Sequence, residues 1–260
     1  MKQKDLTVVI PTLNEANNIE RAIKSAAWAD QVWVLDMGST DRTVDIAQLL
    51  GAKVVIRNEG KQFVGVQDNL NWAGKECGTE WVFRLDADEE FTPKLAEEIK
   101  DILSRDSEYV AFGVPRKQFF LGDFLKGGDW YYDRLVRLYR PDKVCYANLV
   151  SVHEQLVVNG QQSYLKHPLN HYSHPTWKEI NHKWNLYTDL EVQRIHESLI
   201  IALAKMIFLP GYVWARWMLW HNGWKDGWRG IVVATCRGWY DFLKYGKYIK
   251  YRFSSPKKKI

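Results

Sequence analysis

The sequence predicts an α/β fold, in which a mainly parallel sheet carries helices on both faces. Apolar runs of strand length alternate with runs of helical periodicity through the first half of the 260 residues. Polar clusters directly follow three of the apolar runs, at residues 12–15, 36–41 and 86–90. Because ligands bind at the carboxyl ends of the strands in such sheets, we expect a binding site at these three clusters.

Each element of the predicted fold has a local signal. Apolar runs predict strands at residues 7–10, 32–35, 54–56 and 81–85. Helical spacing predicts helices over residues 19–26, 41–50 and 66–75, and a further helix opened by Thr92 and Pro93. Asn14 and Asp41 are the expected caps of the first two helices, and Gly51 ends the second. The sequence contains neither a Gly-x-Gly-x-x-Gly turn nor a Walker loop, so neither a dinucleotide site nor an NTPase site is indicated.

The strongest chemical signal is the run Asp86-Ala87-Asp88-Glu89-Glu90. Four carboxylates within five residues repel one another unless a cation neutralises them, and hard carboxylate oxygens at a strand end suit Mg²⁺ or Mn²⁺. Alternation along an extended segment puts Asp86 and Asp88 on the same side. The alternative is a solvated acidic loop that caps the following helix.

The second signal is the run DMGSTDRT, which begins at Asp36. Gly38 permits a tight turn, and the three polar residues after it can satisfy free amides at a helix start. That structural role explains every polar residue except Asp36, because a carboxylate at a strand end needs a hydrogen-bond donor. The imide N–H of a uracil ring would supply one.

The three clusters lie in the blocks VVIPTLNEANNIERAI, LDMGSTDRT and LDADEE, whose order and spacing resemble the family 2 glycosyltransferases of the GT-A fold. Further along, FVGVQDNLNWA, VPRKQFFLGDFLKGGDWYYDRLVRLYR, VHEQL and HYSH resemble the WaaE/KdtX-type branch, the lipopolysaccharide-core β-1,4-glucosyltransferases. The resemblance covers about residues 5–250. Met37 replaces the commoner Ser of the family, and GGDWYYD departs from its usual GGWYPD.

The resemblance implies roles for individual residues of the site. A nucleotide-sugar would be bound by Pro11, Thr12, Glu15, Asp36, Gln67, Asn69 and Asp86. A Mg²⁺ or Mn²⁺ ion would be held by Asp88 and Asp86, with His171 of HYSH as a further ligand. The alternative for the histidines of this region is a polar loop at a strand end, with the rings bonded to backbone.

Sugar transfer needs stabilisation of the charge on the leaving diphosphate and a base for the acceptor hydroxyl. Direct displacement inverts the anomeric configuration, as the family does. The resemblance implies that Glu154, in the His153-Glu154 pair, is the base, with Asp133 as the second candidate. The alternative for Glu154 is an ion pair with Arg134 or Arg137.

Three residues are expected to contact the acceptor. Trp130 and the two tyrosines after it could stack on a sugar ring, with core packing as the alternative. Arg137 and Arg140 alternate with apolar residues, as expected of a half-buried strand edge, so that Arg137 either binds phosphate or lies on a solvated face. His153 is the third expected contact.

The chain changes in composition near residue 197. From residue 199 onwards, twelve Lys and Arg stand against Asp226 and Asp241, a net charge of +10, whereas residues 1–198 carry −5. The apolar run LIIALAKMIFLP is interrupted by Lys205 and Pro210 and falls short of the about 18 residues of a spanning helix.

The aromatic and basic residues that follow are typical of helices in the headgroup plane of an anionic membrane. Packing of a helical hairpin on the catalytic domain is the alternative. Nucleic-acid binding is not expected, because no nucleic-acid fold accompanies the charge.

We therefore predict a GT-A catalytic domain over residues 1–197, with a nucleotide-sugar half over about 1–90 and an acceptor half over 91–197. Residues 198–260 would form amphipathic membrane-interface helices with a basic tail. The expected activity is inverting transfer of a hexose from a nucleotide-sugar, UDP-linked by the family match, to a saccharide or lipid-linked saccharide such as lipopolysaccharide inner core.

The expected location is the cytoplasmic face of the cell membrane. The first residues lack the apolar stretch of a signal peptide, and three distant cysteines show neither a disulfide framework nor zinc spacing. Two other classes of function stay open. One is a nucleotide-sugar enzyme of another kind: a transferase that acts on polyprenyl phosphate or protein, or a nucleotidyltransferase, whose Gly-rich opening loop PTLNE does not match. The other is a non-catalytic saccharide-binding module on the same fold.

Overall fold

The computed structural model describes residues 5–57, 64–132, 134–147, 156–174 and 176–254. The chain separates into two compact units. The first unit comprises Met1–Arg116 and Asp133–His171, and the second comprises Lys117–Tyr132 and Tyr172–Ile260.

The first four strands of the chain form a parallel sheet in the first unit. They are β1 (Leu6–Thr12), β2 (Gln31–Asp36), β3 (Lys53–Ile56) and β4 (Trp81–Arg84), in the spatial order β3-β2-β1-β4. The connecting helices are α1 (Ile19–Ala26), α2 (Thr43–Leu49) and α3 (Val64–Glu76), and α4 (Pro93–Leu103) follows β4. The predicted strands and helices of this half are thus confirmed. The strand order reverses at β1, which is where ligands bind in open α/β sheets.

Eight shorter or antiparallel strands complete the sheets. They are β5 (Glu89–Glu90), β6 (Tyr109–Phe120), β7 (Asp123–Phe124), β8 (Arg134–Tyr139), β9 (Val144–Tyr146), β10 (Leu156–Val158), β11 (Gln161–Tyr164) and β12 (Leu169–His174). The main sheet continues from β4 in the order β8-β6-β12-β5, and β8 is antiparallel to both of its neighbours. The predicted α/β fold is therefore confirmed, with the parallel part confined to β1–β4.

Both faces of β1 are buried, which explains its unbroken apolar run. Val8 and Ile10 belong to the core that contains the apolar sides of α1 and α4, whereas Val9 belongs to the core that contains Leu70 and Ala73 of α3. The covering of the sheet by helices on both faces follows from this alternation.

The helix starts differ in part from those predicted. Thr92 caps α4 as predicted, since its Oγ1 accepts a hydrogen bond from the Leu95 amide at 3.3 Å. Asn14 does not cap α1, whose N-cap is Asn18; Asn14 instead adopts a left-handed conformation with φ of 58°. Asp41 accepts a hydrogen bond from the Thr43 amide at 3.0 Å and supports the start of α2 from just before it.

The second unit is mainly helical. Its elements are a 3₁₀ turn (Asp129–Tyr132), α5 (Trp177–Val192), α6 (Leu199–Ala215), a π-helical segment (Arg216–Trp220), a second 3₁₀ turn (Gly223–Asp226) and α7 (Trp228–Ser254). The boundary of this unit does not follow the compositional break near residue 197, because α5 packs on α7. Trp184 meets Tyr240 edge-on at 5.9 Å, and the Tyr240 hydroxyl donates to Glu191 at 2.8 Å. The assignment of separate functions to residues 1–197 and 198–260 stays a prediction.

The expectation that Lys205 and Pro210 interrupt the apolar helix is wrong. Leu199–Trp220 forms 22 continuous residues that are long and apolar enough to cross a membrane, by length and composition. Gly238 of α7 lies against Pro210, where a Cβ would stand 3.0 Å from the Pro210 carbonyl oxygen. The absence of a side chain at Gly238 therefore lets α7 approach the turn that contains the proline.

The glycine pair of GGDWYYD is explained within the second unit. A Cβ on Gly127 would lie 2.3 Å from the Asn222 carbonyl oxygen, and one on Gly128 would lie 2.2 Å from the ring of Trp217. Trp217 is fully buried. Gly128 also has φ of 83°, which favours glycine. The motif thus makes room for a tryptophan that lies 89 residues further along the chain.

Candidate active site

The loops that follow β1 and β2 are joined by hydrogen bonds. The Asn14 amide donates to Ser39 Oγ at 2.8 Å, and the Thr40 amide donates to Asn14 Oδ1 at 2.8 Å. The Ala16 amide donates to Asp41 Oδ2 at 3.1 Å. The left-handed backbone of Asn14 allows it to serve as both donor and acceptor here, so the two polar clusters form one wall of the predicted site.

Asp36 lies at the end of β2 with its carboxylate fully engaged by the protein. The amides of Gly38 and Ser39 both donate to Oδ1 at 2.9 Å, and Ser39 Oγ donates to Oδ2 at 2.5 Å. Thr12 Oγ1 is a further donor at 3.4 Å. Contrary to expectation, Asp36 therefore does not lack a donor partner, because the turn supplies three donors and Thr12 of β1 a fourth. Its assignment to base recognition rests on the family resemblance alone.

Pro11 and Glu15 lie beside these groups, at the end of β1 and in the loop after it. Both are half-buried. Glu15 Oε2 accepts a hydrogen bond from the Asn18 side chain at 2.9 Å, and the Glu15 amide donates to Thr43 Oγ1 at 2.8 Å. These contacts fix the loop against the starts of α1 and α2.

Gln67 and Asn69 differ in what they contact. Asn69 holds Arg57, which follows β3: its Oδ1 accepts from Arg57 Nε at 3.0 Å, and its Nδ2 donates to the Arg57 carbonyl at 3.2 Å. Gln67 is buried to the same degree, yet its Oε1 has no hydrogen-bond partner in the described part of the chain. Of the two, Gln67 is the residue with an acceptor to offer a ligand.

The acidic run after β4 is neutralised largely by arginines of the protein itself. Arg137 of β8 donates from Nη2 to Asp86 at 2.6 Å and to Glu89 at 2.8 Å. Arg84 Nε donates to Asp86 at 2.9 Å, and Arg116 Nη1 lies 3.4 Å from Glu89 Oε1. We call these five residues the arginine network: Arg84, Asp86, Glu89, Arg116 and Arg137. Its three guanidinium groups outnumber its two carboxylates.

Burial alone would raise the pKa of Asp86, but the charges of Arg137 and Arg84 hold the pKa of that carboxyl well below its ordinary range. Burial likewise opposes the charged form of Arg137, and the two carboxylates raise the pKa of its guanidinium above the usual value. Both oxygens of Asp86 accept guanidinium hydrogen bonds. The expected contribution of Asp86 to a metal shell therefore has to compete with two arginines.

Arg137 is not on a half-buried strand edge, so that expectation is wrong. It is 1% exposed, in a strand that lies between β4 and β6. Its partners are Asp86 and Glu89, which leaves it no solvated face from which to meet phosphate. Arg140, by contrast, is half-buried and pairs with Glu80 at 3.1 Å. The acceptor role expected of Arg137 has no support in this geometry.

Asp88 lies beside the arginine network and faces a histidine. Its Oδ2 is 3.3 Å from Nε2 of His171, which stands opposite Glu89 in the pairing of β12 with β5. The two side chains are 20% and 14% exposed. His171 Nδ1 is buried and has no hydrogen-bond partner in the described part of the chain. The structure thus brings together two of the three predicted metal ligands.

A carboxylate and an imidazole fit a divalent ion that takes its remaining ligands from substrate phosphates and water. Among the described residues, no group of three or more His, Cys, Asp and Glu side chains could hold a metal ion. An ion bound at Asp88 and His171 would therefore depend on a phosphorylated substrate to complete its shell.

Four predicted residues remain. Glu154, Asp133 and His153 lie outside the described residues. Trp130 is half-buried and meets Trp217 edge-on at 5.2 Å, so it packs in the second unit. Its role in stacking on a sugar, like the roles of the other three, stays a prediction.

Sequence reasoning did not identify Arg84, Glu89 and Arg116 as part of the site. Arg84 had a usable signal, because alternation along the strand places it on the same side as Asp86. Arg116 lies 27 residues from its partner Glu89, and no local sequence pattern predicts that contact.

Comparison with known proteins agrees with this arrangement of strands and polar loops. Residues 7–154 match the sequence profile described as Glycosyl transferase family 2. A protein of Rickettsia bellii named an uncharacterized glycosyltransferase is 32% identical over 94% of this chain and 86% of its own length. The lipopolysaccharide core biosynthesis glycosyltransferase LpsC of Rhizobium meliloti is 28% identical over 93% of this chain and 91% of its own.

Among solved structures, glucosyl-3-phosphoglycerate synthase of Mycobacterium tuberculosis, in complex with Mn²⁺, UDP and glucosyl-3-phosphoglycerate, is similar over 45% of this chain and 44% of its own. The sequence identity is 27% and the TM-score 0.35, a likeness too small to carry any conclusion about this site. The family match is the decisive comparison. It extends over more than half of the chain and includes all three polar clusters at the ends of β1, β2 and β4, so the protein is a glycosyltransferase that belongs to glycosyl transferase family 2.

Proposed function

We propose that the protein is an inverting hexosyltransferase that takes its sugar from a UDP-linked donor. The acceptor is a saccharide or lipid-linked saccharide, such as lipopolysaccharide inner core. The observation that supports this most is the Asp88–His171 pair, 3.3 Å apart, in which Asp88 follows β4, the strand beside the order reversal at β1, and His171 lies in β12. The similarity to LpsC, a lipopolysaccharide core enzyme by name, supports the class of acceptor.

Asp88 and His171 would hold Mg²⁺ or Mn²⁺, and the bound ion would stabilise the negative charge of the departing diphosphate. The interlocked loops after β1 and β2 would form the nucleotide wall. Gln67 would accept a hydrogen bond from the nucleotide through its unpartnered Oε1. The arginine network would keep Asp86 charged and fixed beside Asp88.

The acceptor hydroxyl must lose its proton to a base as it attacks the anomeric carbon. Glu154 is our proposed base and Asp133 the second candidate, with His153 and Trp130 as acceptor contacts. Glu154→Gln should lower turnover by about 100-fold or more while donor affinity is kept, since general-base catalysis contributes about that factor. Turnover within a few-fold of wild type in that variant would transfer the role to Asp133, whose Asn variant is the matched comparison.

The proposed location is the cytoplasmic face of the cell membrane, with the second unit at an anionic surface. The excess of basic and aromatic side chains after residue 198 supports this, as does the similarity to an enzyme that builds a membrane glycolipid.

The test is a screen of UDP-, GDP-, CMP- and ADP-sugars by thermal shift and by slow donor hydrolysis, each with Mn²⁺ and with a chelator. We expect stabilisation and hydrolysis for a UDP-hexose, both lost with the chelator. Failure of every donor to bind would favour a non-catalytic saccharide-binding module.

A further inference from the structure

The second unit carries a long apolar surface that its own packing leaves exposed. Every residue of Leu199–Trp220 is described, and all its exposed side chains are apolar or aromatic. Ile200 is 80% exposed, Phe208 73% and Leu219 70%. We call the exposed side chains of this helix the outer face. Only 11% of the most apolar window of the helix is buried.

The two charged residues of this helix are paired, although their side chains are 41% and 37% exposed. Lys205 donates to Glu197 at 2.6 Å, and Arg216 pairs with Asp129. The outer face as defined contains no charged side chain, and the two cations of the helix are held in ion pairs. Such a distribution costs solubility, so it needs a function to explain it.

Helix α7 also has exposed aromatic side chains on one side and paired charges on another. Trp228, Trp239 and Phe242 are exposed at helical spacing, and Trp239 stacks on Phe242 at 5.2 Å. On another side of α7, Lys244 and Lys247 pair with carboxylates of α5, at 3.4 Å and 2.8 Å. Several of the cations counted as lipid-binding in the sequence are therefore used inside the unit.

The chemistry of the outer face fits lipid better than a second copy of the chain. Protein interfaces are on average about 56–65% apolar and carry about one hydrogen bond per 100–200 Å². Of the exposed side chains of this helix, only Tyr212, Trp214 and Trp220 can form a hydrogen bond, each through a single group. Tryptophans at and beyond its end, Trp220 and Trp224, are 66% and 59% exposed, as expected of rings at a headgroup boundary.

Helix α7 argues against a transmembrane position. The two helices run antiparallel, because Gly238 lies by Pro210 and Gly246 lies by Met206. If the first helix crossed the bilayer, α7 would bring Arg237, Asp241 and Lys244 to the depth of Pro210 and beyond. Charged side chains are unfavourable at the depth of the hydrocarbon core, and three of them, although paired, would lie there.

We propose that the α6–α7 hairpin is an in-plane membrane anchor whose outer face inserts among the lipid chains, with apolar burial as the main source of affinity. This deepens the proposed location at a membrane and rests on it. Exposed basic residues such as Lys225 and Lys250 lie near the two ends of the hairpin and add a smaller attraction to anionic headgroups.

The test is flotation of the full-length protein with two vesicles, phosphatidylcholine alone and phosphatidylcholine with phosphatidylglycerol, at low and high salt. We expect binding to both vesicles that survives high salt. The triple variant Ile207→Gln, Phe208→Gln, Leu219→Gln loses three apolar side chains of the outer face. It should bind both vesicles about tenfold or more weakly, and a tenfold change corresponds to about 1.4 kcal/mol. The matched control is Leu49→Gln with Ile56→Gln, which removes apolar side chains of the first unit that are 81% and 64% exposed.

Three results would overturn the anchor. One is unchanged binding of the triple variant, and another is wild-type binding only to the anionic vesicle and only at low salt. The third is a dimer in light scattering that the triple variant converts to monomer, which would assign the outer face to a second copy. Donor hydrolysis in solution, measured on the same preparations, should be unaffected by the triple variant. Absence of donor hydrolysis in the wild type would count against the proposed function, whereas the flotation result would still test the anchor by itself.

Discussion

Both compact units pair charged side chains internally, but they differ in the groups that lie outside this pairing. In the first unit the arginine network pairs three guanidinium groups with two carboxylates, and the Asp88–His171 pair stays outside it. In the second unit the charges of the long apolar helix pair with Glu197 and Asp129, and the outer face stays exposed. The arginine network is therefore structural, and the Asp88–His171 pair and the outer face are the candidates for ligand and membrane.

The largest effect should come from the residue outside the arginine network. Asp88→Asn removes the carboxylate that would hold the ion, so turnover should fall by about 100-fold or more. Stability should change by less than about 0.5 kcal/mol, because Asp88 is a partly exposed residue outside the core. Donor turnover and urea unfolding measure the two quantities. The control is Asp101→Asn, on the exposed side of α4. Near-normal turnover in Asp88→Asn would refute the ligand assignment.

Within the arginine network we expect a substitution to have a large effect on the free energy of unfolding. Arg137→Gln leaves Asp86 and Glu89 buried with less compensation, so the free energy of unfolding should fall by about 3–5 kcal/mol. Arg140→Gln breaks a partly exposed pair with Glu80 and should cost less than about 1 kcal/mol. Urea unfolding of both variants gives the comparison, and equal costs would show that Arg137 is no more structural than a surface arginine.

Two glycines isolate the packing of the second unit from backbone strain. Gly128 and Gly78 both have positive φ, but only at Gly128 would a Cβ meet another group, the ring of Trp217. Gly128→Ala should therefore cost about 1–3 kcal/mol more than Gly78→Ala, from overpacking. Thermal or urea unfolding measures this. A difference near zero would mean that Trp217 moves aside without cost.

The smallest effect concerns pH. The folded pKa of Asp86 lies below the unfolded value of about 3.9, so its stabilising contribution is complete above that pH and is lost as the pH falls towards the folded pKa. The stability difference between the wild type and Asp86→Asn should hold from pH 7 to about 5 and shrink below about 4. A difference that already shrinks between pH 7 and 5 would show that Asp86 is not held charged by the arginines.

The parallel half of the fold was predictable because its signals are local. Apolar runs, the Thr92-Pro93 helix start and the polar strand ends each lie within a few residues. The arginine network was not predictable in the same way, since Arg137 lies 51 residues from Asp86 and 48 from Glu89. The acidic run was expected to be neutralised by a metal ion, which stays a prediction, whereas in the structure arginines pair with two of its four carboxylates.

Two other errors have the same origin. Pro210 predicts a helix break locally, yet the helix continues to Trp220, and Gly238 of α7 packs against the proline. Asp36 was expected to need an external donor. Its donors, two amides and a hydroxyl of Gly38 and Ser39, come into place only when the turn is folded. The Asp88–His171 pair was predictable only through the family resemblance, since 83 residues separate the two.

The most direct test of the proposed site is the affinity for Mn²⁺ in the presence of UDP, followed by electron paramagnetic resonance of the free ion. Asp88→Asn and His171→Ala should each weaken Mn²⁺ binding by about tenfold or more, as expected for loss of a metal ligand or its close partner. His167→Ala, which removes a histidine paired with Glu98 instead, should leave the affinity unchanged. Equal Mn²⁺ affinity in all three variants and the wild type would contradict the assignment of Asp88 and His171 as the metal pair.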